Sequence, residues 1–145
     1  MKKKHLILII VLMISAAFAF NASLALAKDM TAKDFEKESL KHIATISVSE
    51  AKAILDKGGV TFLDVRTEKE YKKGHIPGAK NVPRGKLEYD IGKDIPDKNA
   101  AVVVYCKTGG RSCLGTYTLV RMGYKNLKSM DGGWNAWTKA GYPVE

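Results

Sequence analysis

The sequence has no internal repeat, no low-complexity tract and no cluster of Cys and His at metal-ligand spacing, and it contains only two cysteines. Each shortage removes a class. Without repeats there is no solenoid. Without a Cys/His cluster no metal site is expected. Two cysteines allow at most one bridge, so a disulfide-dense scaffold is excluded. Blocks of lysine mixed with aromatics are also missing. A formal net charge of +9 therefore does not point to nucleic acid. It describes a solvated basic surface, with a mild pull on small anions.

What remains suits one compact domain with its own core: 145 residues, 46% hydrophobic and 27% charged. Residues 1–27 read as a separate element. Lys2, Lys3 and Lys4 precede an uncharged apolar run, and Ala25-Leu26-Ala27 ends it with small residues. This is the pattern of a secretory signal peptide cleaved after Ala27. Removal takes away three lysines and no acid, lowering the charge from +9 to +6. The competing reading is a retained membrane anchor, because Leu6 to Ala27 is 22 mostly apolar residues. Either way the folded part is expected to be exported, most simply to a periplasm.

Along the rest of the chain, helical and strand patterns alternate. A helix is predicted over Thr31 to His42, with Phe35, Leu40 and Ile43 as its apolar residues. A small strand follows at Ile46-Ser47-Val48. The next helix starts at Ser49, turns Ala53, Ile54 and Leu55 inward, and stops at Gly58-Gly59. Val60 to Val65 reads as a buried strand, Glu68 to Lys73 as a helical turn, and Ala79 to Val82 as a short strand. A helix over Leu87 to Ile91 should end near Gly92. Ala101 to Tyr105, with three successive valines, is the strongest strand signal. Arg111 to Met122, Leu127 to Met130 and Trp134 to Ala140 complete the series as helix, strand and helix. Such alternation predicts an α/β fold: a mainly parallel sheet of about five strands with helices on both faces. Ligands in these folds sit beyond the carboxyl ends of the strands.

Cys106 is the first residue past the strongest strand. It opens the turn Cys106-Lys107-Thr108-Gly109-Gly110-Arg111-Ser112. The glycines let the backbone curl so that N–H groups point inward, and the following helix adds the positive end of its dipole. A thiol in such a nest is expected to ionise more readily, and the thiolate is the nucleophile. Lys107 and Arg111 would add positive charge at the rim. The alternative is a buried structural cysteine beside an ordinary glycine turn.

Four stretches now resemble the single-domain rhodaneses, a sulfurtransferase family. They are Leu63-Asp64-Val65-Arg66 with Glu70-Tyr71, Gly74 to Ala79 with Asn81, Cys106 to Ser112, and Met130 to Trp134 with Trp137. Together they divide the chain into a signal peptide (1–27), an N-terminal helical extension (28–45) and a rhodanese domain (46–145). The resemblance implies that Cys106 takes sulfur from a donor such as thiosulfate, holds it as a persulfide, and passes it to cyanide, a thiol or a protein acceptor. It implies a role for Lys107 to Ser112 in holding the transferred group. Phosphatases of the same fold use a loop one residue longer, Cys-x5-Arg. Four residues separate Cys106 from Arg111, a ring better fitted to sulfur than to phosphate.

Asp64 and Arg66 are expected to be a charge pair bracing the loops, and His75 a scaffold residue in its turn. Trp134 and Trp137 should cover the core, and Arg84 is a candidate for the pocket mouth. Cys113 reads as a small buried residue within a helix. Its alternative role is a thiol that closes a disulfide with Cys106, which helix geometry disfavours. Two functional classes stand: an exported sulfurtransferase, and a carrier that holds sulfur or an anion for a partner without turnover.

Overall fold

The computed structural model describes residues 29–145. The signal-peptide reading of residues 1–27 lies outside the described residues. Ala32–Glu145 forms one compact unit.

Its centre is a five-stranded sheet, all parallel, in the order β1-β5-β4-β2-β3. The strands are β1 (Ala44–Ile46), β2 (Thr61–Asp64), β3 (Lys80–Asn81), β4 (Ala101–Tyr105) and β5 (Asn126–Met130). The helices are α1 (Ala32–Leu40), α2 (Val48–Lys57), α3 (Glu68–Tyr71), α4 (Leu87–Asp94), α5 (Gly110–Arg121) and α6 (Gly133–Lys139).

Strand alternation sorts β4 between two cores. Val102, Val104 and Cys106 join Leu63, Leu87, Ile91 and Leu119 on the face covered by α4 and α5. Val103 and Tyr105 join Phe62, Ala51, Met130 and Trp137 on the face of α2 and α6. Each buried valine contributes about 1.5–2 kcal/mol from apolar area removed from water. β4 is central and buried along Val102 to Tyr105, and Cys106 stands at its carboxyl end.

Three local expectations are corrected. The first strand ends at Ile46, and Ser47 caps α2 instead of extending the strand. Its hydroxyl accepts from Glu50 N–H at 3.2 Å, while the Glu50 carboxylate accepts from Ser47 N–H at 2.7 Å. This reciprocal box uses two backbone donors that would otherwise be open, and it outweighs the short alternating pattern. In α2 the fully buried residue is Ala51, and Ala53 faces solvent. In α4 the helix runs through Gly92 to Asp94, because Gly92 keeps an ordinary φ and does not turn the chain.

Helix α1 also differs from its apolar pattern. Phe35 and Leu40 are 52% and 49% exposed, and Ser39 is the buried residue. The helix lies on α5, with His42 just past its end stacked on Tyr117 at a centroid distance of 5.0 Å.

Candidate active site

The loop after β4 is built by disposing of its carbonyls. The Cys106 carbonyl accepts from Trp134 N–H at 2.7 Å, and the Lys107 carbonyl from Asn135 N–H at 3.0 Å. Both donors belong to the first turn of α6. The Gly109 carbonyl accepts from Cys113 N–H at 2.9 Å and from the Ser112 hydroxyl at 2.8 Å. With these oxygens engaged, the Gly109 N–H turns to the thiol and donates to Cys106 Sγ at 3.2 Å. Gly109 has φ of 110°, a conformation that only glycine adopts readily. Gly133 permits the approach of α6: a side chain there would overlap the Cys106 carbonyl oxygen and lie 3.0 Å from Thr108 N. Ser112 is fully buried and takes a further hydrogen bond from Ser129 at 3.2 Å. Its hydroxyl thus holds the loop from behind. Lys107 and Thr108 are exposed at the rim.

Two charge pairs flank this loop. Asp64 and Arg66, 0% and 3% exposed, face each other at the carboxyl end of β2. Arg66 Nη2 donates to Asp64 Oδ2 at 2.6 Å and to the Gly74 carbonyl at 2.7 Å. Its guanidinium stacks over Trp134 at 4.3 Å, tying β2 to α6. Tyr105, under the same guanidinium, has its phenol pushed up, chiefly by burial and then by Asp64.

The second pair is Arg111 with Glu70. Both carboxylate oxygens accept from the guanidinium at 3.0 Å, so the pair is bidentate. Glu70 also closes a capping box with Thr67 at the start of α3. The Arg111 hydrogen bonds hold its carboxyl down to about 2, from a usual 4.5. The positive charge expected at the rim from Arg111 is therefore matched by a carboxylate.

The remaining singled-out residues lie outside the loop. His75 Nδ1 is 3.2 Å from the Tyr71 carbonyl, its ring stacks on Tyr71 at 3.7 Å, and its backbone pairs with Glu145. Arg84 reaches Glu88 and Thr118, well along α5 from the loop. Asn81 donates to the carbonyls of Asp64 and Arg66, fixing the end of β2. Trp137 is fully buried and donates to the Pro143 carbonyl at 2.8 Å. Cys106 and Cys113 are both free and buried. Burial pushes the Cys113 thiol up, away from ready ionisation.

The sequence placed Glu70 and Gly133 inside resembling stretches without assigning either a role, and it did not single out Ser129. The Thr67-x-x-Glu70 capping spacing was a usable signal for Glu70. Nothing local marks Ser129, and the importance of both Gly133 and Ser129 comes from what packs against them. Among the described residues no group of His, Cys, Asp and Glu is arranged to hold a metal ion.

The comparisons agree with this architecture. A protein of Arabidopsis thaliana, rhodanese-like domain-containing protein 17, is 37% identical over 116 residues, covering 71% of this chain and 73% of its own. Thiosulfate sulfurtransferase 18 of the same plant is 30% identical, covering 72% of this chain and 85% of its own. The crystal structure of thiosulfate sulfurtransferase from Pseudomonas aeruginosa superposes with a TM-score of 0.68 at 31% identity, over 77% of this chain and 22% of that one. A Rhodopseudomonas palustris protein of unknown function, described as a possible tyrosine phosphatase, superposes at 0.73 with 29% identity, over 82% of this chain and 97% of that one. The rhodanese-like domain model matches residues 47–140, and it takes in both charge pairs, the Cys106 loop and the α6 turn that receives its carbonyls. The chain belongs to the rhodanese-like domain family.

Proposed function

We propose that the protein is a sulfurtransferase that works through a Cys106 persulfide. The observation that carries this is the Gly109 N–H donating to Cys106 Sγ inside a loop whose Cys106, Lys107 and Gly109 carbonyls are engaged elsewhere. A thiolate at that position attacks the outer sulfur of thiosulfate. The new S–S bond forms as the sulfur–sulfur bond of thiosulfate breaks, and sulfite leaves with the electron pair. The persulfide anion then lies within reach of the same N–H group, which stabilises it as it stabilised the thiolate. Cyanide or a thiol attacks the outer sulfur, takes it, and returns the Cys106 thiolate. Relatives named thiosulfate sulfurtransferase support the same class.

We also propose that the enzyme acts outside the cytoplasm, after cleavage at Ala27, on the strength of the N-terminal sequence pattern. The short Cys-x4-Arg loop supports sulfur over phosphate as the group transferred.

The test is to mix the protein and its Cys106→Ser variant with thiosulfate, remove the excess, and weigh each by mass spectrometry. Gain of one sulfur by the parent alone, released as thiocyanate on adding cyanide, is the expected result. Free thiols with no added sulfur would overturn thiosulfate as donor. Loading without release to any acceptor would favour the carrier.

A further inference from the structure

Helix α1 brings an unexpected charge to the Cys106 loop. It is anchored on α5: the Cys113 thiol donates to the Glu36 carbonyl at 3.5 Å, and His42 stacks on Tyr117. This seats the Glu36 side chain against Gly110, the first residue of α5 and a member of the loop. A methyl group on Gly110 would overlap Glu36 Oε1 and lie 3.1 Å from Cδ. Gly110 has no positive φ, so its backbone does not require glycine. What the missing side chain provides is room for this carboxylate.

The two arginines of the site are engaged by other carboxylates. Arg111 is held bidentate by Glu70, and Arg66 by Asp64. Lys107 is an exposed cation of the loop. Asp131 adds a second carboxylate on this side: after burial, Glu36 and then Asp131 push up the Cys113 thiol in the first turn of α5. The net positive charge of the whole chain acts over longer range and is screened within about 8–10 Å in ordinary buffer. Close to Gly110 the Glu36 carboxylate is a fixed negative charge at the edge of the loop.

We propose that Glu36 is a specificity-determining residue of the Cys106 site, disfavouring sulfur donors in proportion to their negative charge. The substrate class this selects is a sulfane-sulfur carrier of low net charge, such as a zwitterionic thiosulfonate or the persulfide of an uncharged thiol, with thiosulfate a slower donor. The inference rests on the persulfide reading of Cys106, and it adds which donors the site takes well.

The test uses the full chain and its Glu36→Gln and Glu36→Lys variants at low ionic strength. Three donors present the same sulfane sulfur with different charge: thiosulfate, a dianion; methanethiosulfonate, a monoanion; and aminoethanethiosulfonate, a zwitterion. Glu36→Gln should raise kcat/KM about 3–10-fold for the dianion, less for the monoanion, and within about twofold for the zwitterion. Glu36→Lys should steepen the series, and added salt should flatten it. An equal change for all three donors, or none, would overturn the proposal and leave Glu36 a mere anchor of α1.

A second reading needs no sulfur transfer. Alkylation of Cys106 by iodoacetate and by iodoacetamide, located by peptide mass, compares an anion with its neutral analogue. Glu36→Gln should raise the rate ratio in favour of iodoacetate by several-fold. An unchanged ratio would overturn the proposal whatever the donors do. A raised ratio in a protein that none of the donors loads would uphold the role of Glu36 and sink the sulfurtransferase reading instead.

Discussion

The two arginine–carboxylate pairs beside Cys106 share their chemistry and behave differently in the fold. Asp64–Arg66 is two residues apart, sealed from solvent, and bound to a carbonyl and an indole as well as to itself. Glu70–Arg111 spans 41 residues and leaves its side chains 30% and 38% exposed. The first pair holds the carboxyl end of the sheet in one arrangement. The second sets the charge at the loop and stays open to salt and protons. Desolvation accounts for the contrast: a buried charge that loses its partner has no water to turn to, whereas a half-exposed one does.

Four measurements break or sharpen this contrast. Asp64→Ala should be the most damaging, because it strands the Arg66 guanidinium in the interior. A loss of about 3–5 kcal/mol is expected from denaturant unfolding, and a loss below 1 would mean that water reaches the pair. Arg66→Lys keeps the charge but gives up the fork and the stacking on Trp134. It should cost about 1–2 kcal/mol, read as a lower midpoint at unchanged slope.

The Glu70–Arg111 pair should respond to pH. Its carboxyl is depressed to about 2 from 4.5. Its contribution is therefore complete above about 4.5 and is lost as pH falls towards 2. Solvent screening limits that contribution to about 1–2 kcal/mol. Glu70→Gln retains the capping geometry while removing the charge. Stability of parent and variant should accordingly converge between these two pH values, and parallel curves would show that the ion pair contributes nothing. The smallest effect is expected from salt. Raising ionic strength to molar levels should weaken the Glu70–Arg111 pair by a few tenths of a kcal/mol and leave the buried pair unmoved. Double-mutant cycles at two salt concentrations would separate them.

The legible part of the molecule is the part written in neighbouring residues. Ala101 to Tyr105 announces a central strand, and the structure uses those five residues. The turn that follows identifies Cys106 by position and by its glycines. Boundaries failed where two local signals competed, as at Ser47, where a capping box claimed a residue that alternation assigned to a strand. Helix α1 shows a different limit. Its apolar residues Phe35 and Leu40 stay exposed, and its buried residue is Ser39. Periodicity names an apolar residue without saying whether a neighbour has a surface to match it.

By itself the sequence determined the order of elements, the parallel sheet, and the thiol placed where β4 ends. Strand alternation, capping and glycine turns act within a few residues, so one sequence is enough to read them. The tertiary structure alone decided the electrostatic character of the site. Glu70 reaches Arg111 across 41 residues, and Cys113 meets the Glu36 backbone across 77, setting a carboxylate against Gly110. Charge at a site depends on which side chains the fold brings within a few ångströms and whether water remains between them, and neither is encoded in local spacing.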